Sequence, residues 1–251
     1  MNALTTIQRQ IKAARGELQA YQPTTIDWNL RALTTARALV PWLLEISPTM
    51  KDYVQDVLNA PTLLRSMWQK IRNHVTLPKA EIEAFEKQLQ LDEVLRETVT
   101  GEVVSSIVTK YLLESGSGEQ LKANGRSDYP DLYLATFDYT ALPQFKRKKK
   151  VTTTDDYGAA VKSKQKRPVR IPDGLEIKTC RERIAVDCHH PHLGLHLVLL
   201  FSKTGRLFTV DDIRIAFLRS VDYKETQRNT TATTVKYSFN GDRFISLLNN
   251  Q

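Results

Sequence analysis

The spacing of apolar residues changes near residue 115, and this change limits the folds open to the chain. Upstream, apolar side chains such as Ile7, Ile11, Ala14 and Leu18 recur every three or four residues, which predicts amphipathic helices. Downstream, short apolar or β-branched segments are bounded by glycine, proline and polar clusters, which is typical of strands. We therefore expect an α/β (α+β) fold with a mixed central β-sheet flanked by helices and a helical N-terminal part.

Caps and prolines place the helices more closely. The predicted helices cover roughly residues 5 to 20, a segment after residue 23, residues 50 to 75, a segment that begins at LPKAE (77 to 81) and residues 92 to 114. Asp27 is a suitable cap for the second helix, Pro41 is expected to kink or break it, and Pro61 to interrupt the third. At helical spacing, Trp28, Trp42 and Trp68 are interpreted as core residues.

The strand-like part contains one further predicted helix. The predicted strands are LYLATF (132 to 137), GLEIKT (174 to 179), RIAVDC (183 to 188), LHLVLLF (195 to 201) and a final edge or hairpin strand in TATTVKYSF (231 to 239). VDDIRIAFLRS (210 to 220) is predicted as a helix, because Asp211 and Asp212 suit its positive end. We divide the chain into a helical part, residues 1 to 95, and a core, residues 96 to 251.

Positive charge is concentrated in one segment. The 251-residue chain has a formal net charge of +8. Residues 144 to 171 hold two acidic and ten basic residues, a local charge of +8, so the remainder is balanced. The basic residues are Lys146, Arg147, Lys148, Lys149, Lys150, Lys162, Lys164, Lys166, Arg167 and Arg170. Such a basic insertion is expected to contact a phosphate backbone, although a solvated, disordered loop is the alternative.

The sequence does not favour a membrane-spanning protein or a disulfide-bonded protein. No basic leader precedes an apolar segment, and no apolar run approaches the roughly 18 residues of a membrane span. We expect a cytoplasmic protein of a prokaryotic cell. The two cysteines, Cys180 and Cys188, lack metal-ligand spacing and are interpreted as packed, reduced thiols.

Two acidic residues and a lysine form the strongest candidate for catalysis. Glu176 and Lys178 are two residues apart on a predicted strand, so they share one face while Ile177 points into the interior. Asp131 begins the preceding predicted strand, and neighbouring strands lie about 4.8 Å apart. Asp131 and Glu176 are therefore expected to bind one divalent cation jointly. A lysine beside them can orient or deprotonate water and stabilise a developing phosphorane charge.

Two other aspartates compete with Asp131 for this role. Asp173 also follows a proline, but it is three residues from Glu176, and this odd spacing points it to the opposite face of a strand. We expect it to serve the turn with Gly174. Asp128 lies three residues before Asp131, where the chain is expected to be a loop. Asp131 is the preferred residue.

Pro130-Asp131 followed by Glu176-Ile177-Lys178 resembles the PD-(D/E)XK nuclease motif, over roughly residues 98 to 201. Type II restriction endonucleases are the members that the chain most resembles. The resemblance implies a restriction-endonuclease-like core that uses Mg²⁺ to hydrolyse double-stranded DNA at a specific short sequence, leaving 5′-phosphate and 3′-hydroxyl ends. It further implies a homodimer, no nucleotide cofactor, catalysis by Asp131, Glu176 and Lys178, and metal binding by Asp131, Glu176 and the helical Glu102. Residues 1 to 95 would then serve recognition or dimerisation.

Further basic and histidine residues are candidates for DNA contact. Arg181 and Arg183 follow Lys178, and a guanidinium group can read guanine edges in the major groove. His189 and His190, in the segment CHHPH, are expected to touch DNA from a turn between strands. Zinc binding by this segment is not favoured, because no second cysteine or histidine cluster has suitable spacing. The alternatives are a solvent-facing strand and a polar turn.

Two other functions stay open from the sequence. One is a non-catalytic, basic DNA-binding protein in which the Glu-X-Lys triplet is coincidental. The other is a repair or junction-resolving nuclease of the same fold. Both would bind DNA in a salt-sensitive way, so binding alone does not separate them from a restriction enzyme.

Overall fold

The structure, a computed structural model, describes most of the chain. The described residues are 2–21, 25–98, 100–115, 121–123, 129–137, 152–154, 160–162, 171–184, 191–228, 235–239 and 241–249. Within these ranges the chain is a mixed α+β protein whose six-stranded mixed sheet is flanked by helices. This confirms the coarse fold prediction.

In the described part of the chain five α-helices precede the strands, where the spacing of apolar residues predicts helices but with other bounds. They are α1 (Ala3–Ala13), α2 (Arg15–Ala20), α3 (Trp28–Ile71), α4 (Lys79–Thr98) and α5 (Thr100–Glu114). The predicted cap of α3 is present, since the Asp27 carboxylate accepts a hydrogen bond from the Leu30 backbone N–H at 3.0 Å. The single helix expected over residues 92 to 114 is instead shared between α4 and α5.

The predicted interruption at Pro61 is wrong, because α3 continues for 44 residues through Pro41, Pro48 and Pro61. Of the two outcomes expected at Pro41, a kink or a break, the break does not occur. A proline inside a helix removes one hydrogen bond and costs about 3 kcal/mol. Burial offsets this cost here. The inner face of α3 carries a fully buried stripe that includes Leu39, Leu43, Met50, Val54 and Leu58, and burying one such side chain contributes about 1.5–3 kcal/mol.

The strands form three sheets. The bounds are β1 (Leu121–Ala123), β2 (Leu132–Leu134), β3 (Thr152–Thr154), β4 (Ala160–Lys162), β5 (Leu175–Arg181), β6 (Gly194–Thr204), β7 (Leu207–Leu218), β8 (Tyr223–Arg228), β9 (Val235–Phe239) and β10 (Ile245–Ser246). The main sheet has the order β1-β2-β5-β6-β7-β10, in which only the β5–β6 pair is parallel. β8 pairs with β9, in agreement with the edge or hairpin strand that was expected within residues 231 to 239.

Two predictions in this part are wrong. Residues 210 to 220 are not helical, since β7 occupies most of them and pairs with β6 from Gly194↔Leu218 to Thr204↔Leu207. Ile213, Ile215 and Phe217 alternate into the main core, and this period of two outweighs the two aspartates. The strand expected at residues 183 to 188 is absent at Arg183 and Ile184, because the chain turns after β5, and residues 185 to 190 lie outside the described residues.

The two faces of the sheet have different surroundings. On one face Leu175, Ile177, Leu197 and Ile215 join a large core with residues of α1, α3 and α5. On the other face Cys180, Val198 and Leu200 form a smaller cluster with side chains such as Tyr223 and Phe244. By strand alternation Glu176 and Lys178 lie on this second face.

Three smaller expectations can be compared with the structure. Trp28 and Trp68 are buried core residues, as predicted, and Trp42 packs partly buried against the core. Cys180 is buried, whereas Cys188 lies outside the described residues. In the basic insertion, β3 and β4 form an antiparallel pair, so this segment is not wholly without secondary structure.

Among the helices that the structure describes, none is long and apolar enough to cross a membrane.

Candidate active site

Asp131 is held against the Glu-X-Lys strand. It immediately precedes β2, whose Leu132 pairs with Leu175 of β5. Its Oδ2 accepts a hydrogen bond from the Ile177 backbone N–H at 2.7 Å. This contact joins two residues that are 46 positions apart in the chain. The predicted closeness of Asp131 to the strand of Glu176 and Lys178 is therefore present.

The turn before β5 brings the two segments together through Gly174. A Cβ atom at Gly174 would lie 2.1 Å from Pro130 Cγ and 2.8 Å from the Leu132 carbonyl oxygen. Only a residue without a side chain permits this close approach. The glycine thus lets the Pro130-Asp131 segment pack directly on the start of β5.

Glu176 and Lys178 form an ion pair on β5. The Lys178 Nζ lies 2.5 Å from Glu176 Oε1, and the side chains are 26% and 5% exposed, respectively. Ile177 between them is buried in the main core, as expected. The lysine therefore keeps access to solvent while the carboxylate is almost completely covered.

Burial controls the protonation of both carboxyl groups. Desolvation raises the pKa of Glu176 to about 7, against the opposing attraction of Lys178 and with a smaller upward contribution from Asp131. Desolvation also raises the pKa of Asp131, while the Ile177 N–H and Lys178 act in the opposite direction. Both carboxyl groups therefore resist ionisation. A cation bound beside them would stabilise their ionised forms.

The residues present fit a magnesium ion. Glu176 Oε2 is buried and has no hydrogen-bond partner within the described part of the chain. An unsatisfied buried carboxylate oxygen carries a large desolvation cost, which a cation can offset. Mg²⁺ usually binds through one or two carboxylates and retains several waters. Asp131 and Glu176 are the residues that would hold it.

Glu102 is placed less favourably for metal binding. It is exposed in the first turn of α5. The preceding residue, Gly101, accepts a hydrogen bond from Thr179 Oγ1 at 3.1 Å, and Thr179 alternates away from the face of Glu176 and Lys178. No group of three or more histidine, cysteine, aspartate or glutamate residues that could hold a metal occurs in the described ranges. Glu102 as a ligand stays a prediction.

The raised pKa of Glu176 predicts a pH-dependent effect of Glu176→Gln on stability. Between pH about 4.5 and about 7 the folded protein retains a proton that the unfolded chain has lost, so its stability falls as pH rises through this window. Glutamine cannot ionise. In EDTA, Glu176→Gln should therefore gain roughly 1–3 kcal/mol relative to wild type between pH 5 and pH 8, measured by denaturant unfolding. The exposed Glu83→Gln should show no such trend, and an equal difference at both pH values would contradict the prediction.

A buried group of tyrosine and histidine residues lies beside the site and was not expected from the sequence. His196 pairs with Glu176 across β5 and β6, and its Nε2 lies 3.0 Å from the Tyr223 hydroxyl. Burial lowers the pKa of His196 to about 3, so this ring is neutral. The Tyr129 hydroxyl donates to the Leu193 carbonyl at 2.6 Å, and its ring stacks on His192 at 4.5 Å. In the sequence, the feature that could have indicated this group is the position of Tyr129 directly before Pro130.

Asp173 takes part in a different contact, as its spacing from Glu176 indicates. Its Oδ2 lies 2.8 Å from Arg31 Nε, and the side chains are 0% and 16% exposed. The Arg31 guanidinium also lies over the Phe137 ring, 3.9 Å from its centroid. This pair fixes α3 to the turn that precedes β5, a role that the turn prediction for Asp173 did not include.

The remaining predicted site residues are less informative. Arg181 and Arg183 are exposed at the end of β5, and Arg181 forms a 3.7 Å ion pair with Glu182, which is also exposed. Their contact with DNA stays a prediction. Outside the described residues lie Asp128, Lys146, Arg147, Lys148, Lys149, Lys150, Lys164, Lys166, Arg167, Arg170, His189 and His190.

Comparison with known proteins found no match. A scan of protein-family models, a search of curated proteins and a search of solved structures each gave no match to the chain.

Proposed function

We propose that the chain is a Mg²⁺-dependent endonuclease that hydrolyses phosphodiester bonds of double-stranded DNA at a specific short sequence. In this proposal it is a type II restriction endonuclease of the PD-(D/E)XK superfamily, with a restriction-endonuclease-like core. One observation carries it: the hydrogen bond between Asp131 Oδ2 and the Ile177 N–H unites the Pro-Asp and Glu-X-Lys segments. The order of elements supports it, since α5 precedes the Asp131 strand and the apolar β6 follows the lysine strand.

The chemistry follows from the properties of the three side chains. Asp131 and Glu176 would hold the cation, which supplies Lewis-acid polarisation of the phosphate and a more acidic bound water. Lys178, one quarter exposed, would orient water and stabilise negative charge on the attacked phosphate. Its ion pair with Glu176 fixes the direction of its ammonium group. The neutral His196 lies beside Glu176 on the neighbouring strand β6.

The other parts of the chain have supporting roles in the proposal. The basic insertion, residues 144 to 171, would grip the phosphate backbone, and Arg181 and Arg183 would contact base edges or phosphates. Residues 1 to 95 would contribute to recognition or to a homodimer, whose two-fold symmetry would match a palindromic DNA site.

The test is incubation of the purified protein with plasmid and phage DNA in Mg²⁺ or in EDTA. We expect discrete fragments with 5′-phosphate ends in Mg²⁺ and intact DNA in EDTA. Asp131→Asn should abolish cleavage, whereas Asp211→Asn, at an exposed aspartate on β7, should leave it unchanged. Intact DNA across several substrates, together with tight and salt-sensitive binding, would refute catalysis and favour a non-catalytic DNA-binding protein. Cleavage only of branched or damaged DNA would favour a repair or junction-resolving nuclease.

A further inference from the structure

A cavity lies in the helical part of the molecule. It has a volume of about 780 Å³ and is formed by α1, α2 and the first turns of α3. Its lining includes none of the residues of the candidate active site. Cavities of about 300–1,000 Å³ are typical of small-molecule binding sites. The volume is therefore sufficient for a ligand the size of a nucleotide.

The cavity carries uncompensated positive charge. Lys12, Arg15 and Arg37 contribute to its lining, and all three are exposed. Within the described part of the chain, none of the three forms an ion pair. The lining contains a single carboxylate, Asp27, whose Oδ1 is engaged as the cap of α3 by the Leu30 N–H. Three cations around one opening create a local potential that favours an anion, and arginine is well suited to bidentate contact with phosphate.

The remainder of the lining suits a ring with polar edges. The exposed Leu30 (56%) and the half-buried Ile26 and Leu33 supply its apolar wall, whereas Ile11 and Trp28, at 1% and 2% exposure, offer a ligand almost no surface. Side-chain amides, which can donate and accept hydrogen bonds, are supplied by Gln8, Gln19 and Asn29. An apolar surface, amides and basic groups together match the base and the phosphate of a nucleotide.

We propose that this cavity, lined by Lys12, Arg15 and Arg37, binds a nucleotide unit, with the phosphate on the basic residues and the base against the apolar wall. The unit is supplied either by a free mononucleotide or by a nucleic-acid strand, since both present the same chemistry. The proposal does not depend on nuclease activity. A free mononucleotide would overturn the expectation that the chain binds no nucleotide cofactor.

The test is isothermal titration calorimetry in EDTA, with each nucleoside 5′-monophosphate, a 12-nucleotide single strand and inorganic phosphate as separate probes. Arg15→Gln/Arg37→Gln removes two charges from the cavity. Lys79→Gln/Lys87→Gln removes two charges from exposed positions on α4 and serves as the matched control. We expect the cavity variant to weaken nucleotide binding at least about tenfold and the control to stay within about twofold of wild type. Because Arg15 and Arg37 are exposed, both variants should retain the wild-type melting temperature.

The probes distinguish the sources. Binding of a mononucleotide that is lost in the cavity variant supports a free nucleotide as ligand. Binding of the single strand alone, with the same selective loss, supports a nucleic-acid strand. The proposal is overturned if wild type binds neither a mononucleotide nor the single strand. It is also overturned if both double variants change binding equally, or if inorganic phosphate binds as tightly as the nucleotide. None of these readouts requires cleavage, so failure here leaves the proposed nuclease activity untouched.

Discussion

Lys178→Ala is expected to lower the Mg²⁺-dependent rate of DNA cleavage by roughly a hundred- to a thousandfold, the usual cost of removing one group that stabilises transition-state charge. The reason is positional. Lys178 Nζ lies 2.5 Å from Glu176 Oε1 while the side chain retains 26% exposure, so it can face both the Glu176 carboxylate and a bound substrate. The measurement is single-turnover cleavage of a plasmid or a mapped duplex. Binding of the same DNA in EDTA should change by less than about tenfold, because one phosphate contact contributes only part of the affinity.

Two further variants define what the lysine does. Lys224→Ala removes an exposed lysine from β8 and should leave the cleavage rate unchanged. Lys178→Arg retains the positive charge but cannot act as a base, because a guanidinium is not deprotonated in proteins. Recovery of most of the rate by arginine would assign an electrostatic role to Lys178. A wild-type rate in Lys178→Ala would remove the residue from the proposed mechanism.

The second large effect concerns stability. Arg31→Met should lower the free energy of unfolding by about 3–5 kcal/mol, because it removes the cation that pairs with the fully buried Asp173 carboxylate at 2.8 Å. The loss is measured by chemical denaturation near neutral pH. Lys70→Met, at an exposed position of the same helix, should change stability by less than about 0.5 kcal/mol.

A double variant separates the ion pair from the packing of Arg31. In Arg31→Met/Asp173→Leu no uncompensated charge remains, so this variant should be more stable than Arg31→Met alone. A loss below about 1 kcal/mol in Arg31→Met would mean that Asp173 is satisfied by other groups. Because Asp173 adjoins Gly174 and the start of β5, Arg31→Met is also expected to reduce cleavage by displacing Glu176.

Much of the candidate site could be predicted from the sequence, because the signals were local. A spacing of two residues on a strand placed Glu176 and Lys178 on one face and Ile177 in the core. The cap at Asp27 and the periodic apolar residues before residue 115 likewise predicted helices that are present. The closeness of Asp131 was inferred from the expected pairing of consecutive strands and from resemblance to a motif, since no local pattern links residues 131 and 176.

The predictions that were wrong concern segments where packing outweighs local preference. Ile213, Ile215 and Phe217 of β7 alternate into the main core, but Ala216 and Leu218 are also buried, on the other face. The polar half of the alternation is therefore lost towards the end of the strand, and the two aspartates indicated a helix. α3 continues through three prolines because its buried stripe offsets their cost. Each outcome depends on neighbours that are distant in the chain.

The sequence by itself determined the helical character of the first part of the chain, the strands near residues 132, 175 and 195, and the shared face of Glu176 and Lys178, because residues adjacent in the chain set the backbone period. Only the tertiary structure decided the protonation of Glu176, the Arg31–Asp173 pair and the hydrogen bond from Ile177 to Asp131. These features arise from burial and from contacts between distant segments. Desolvation and ion pairing act through space, and the fold supplies those distances.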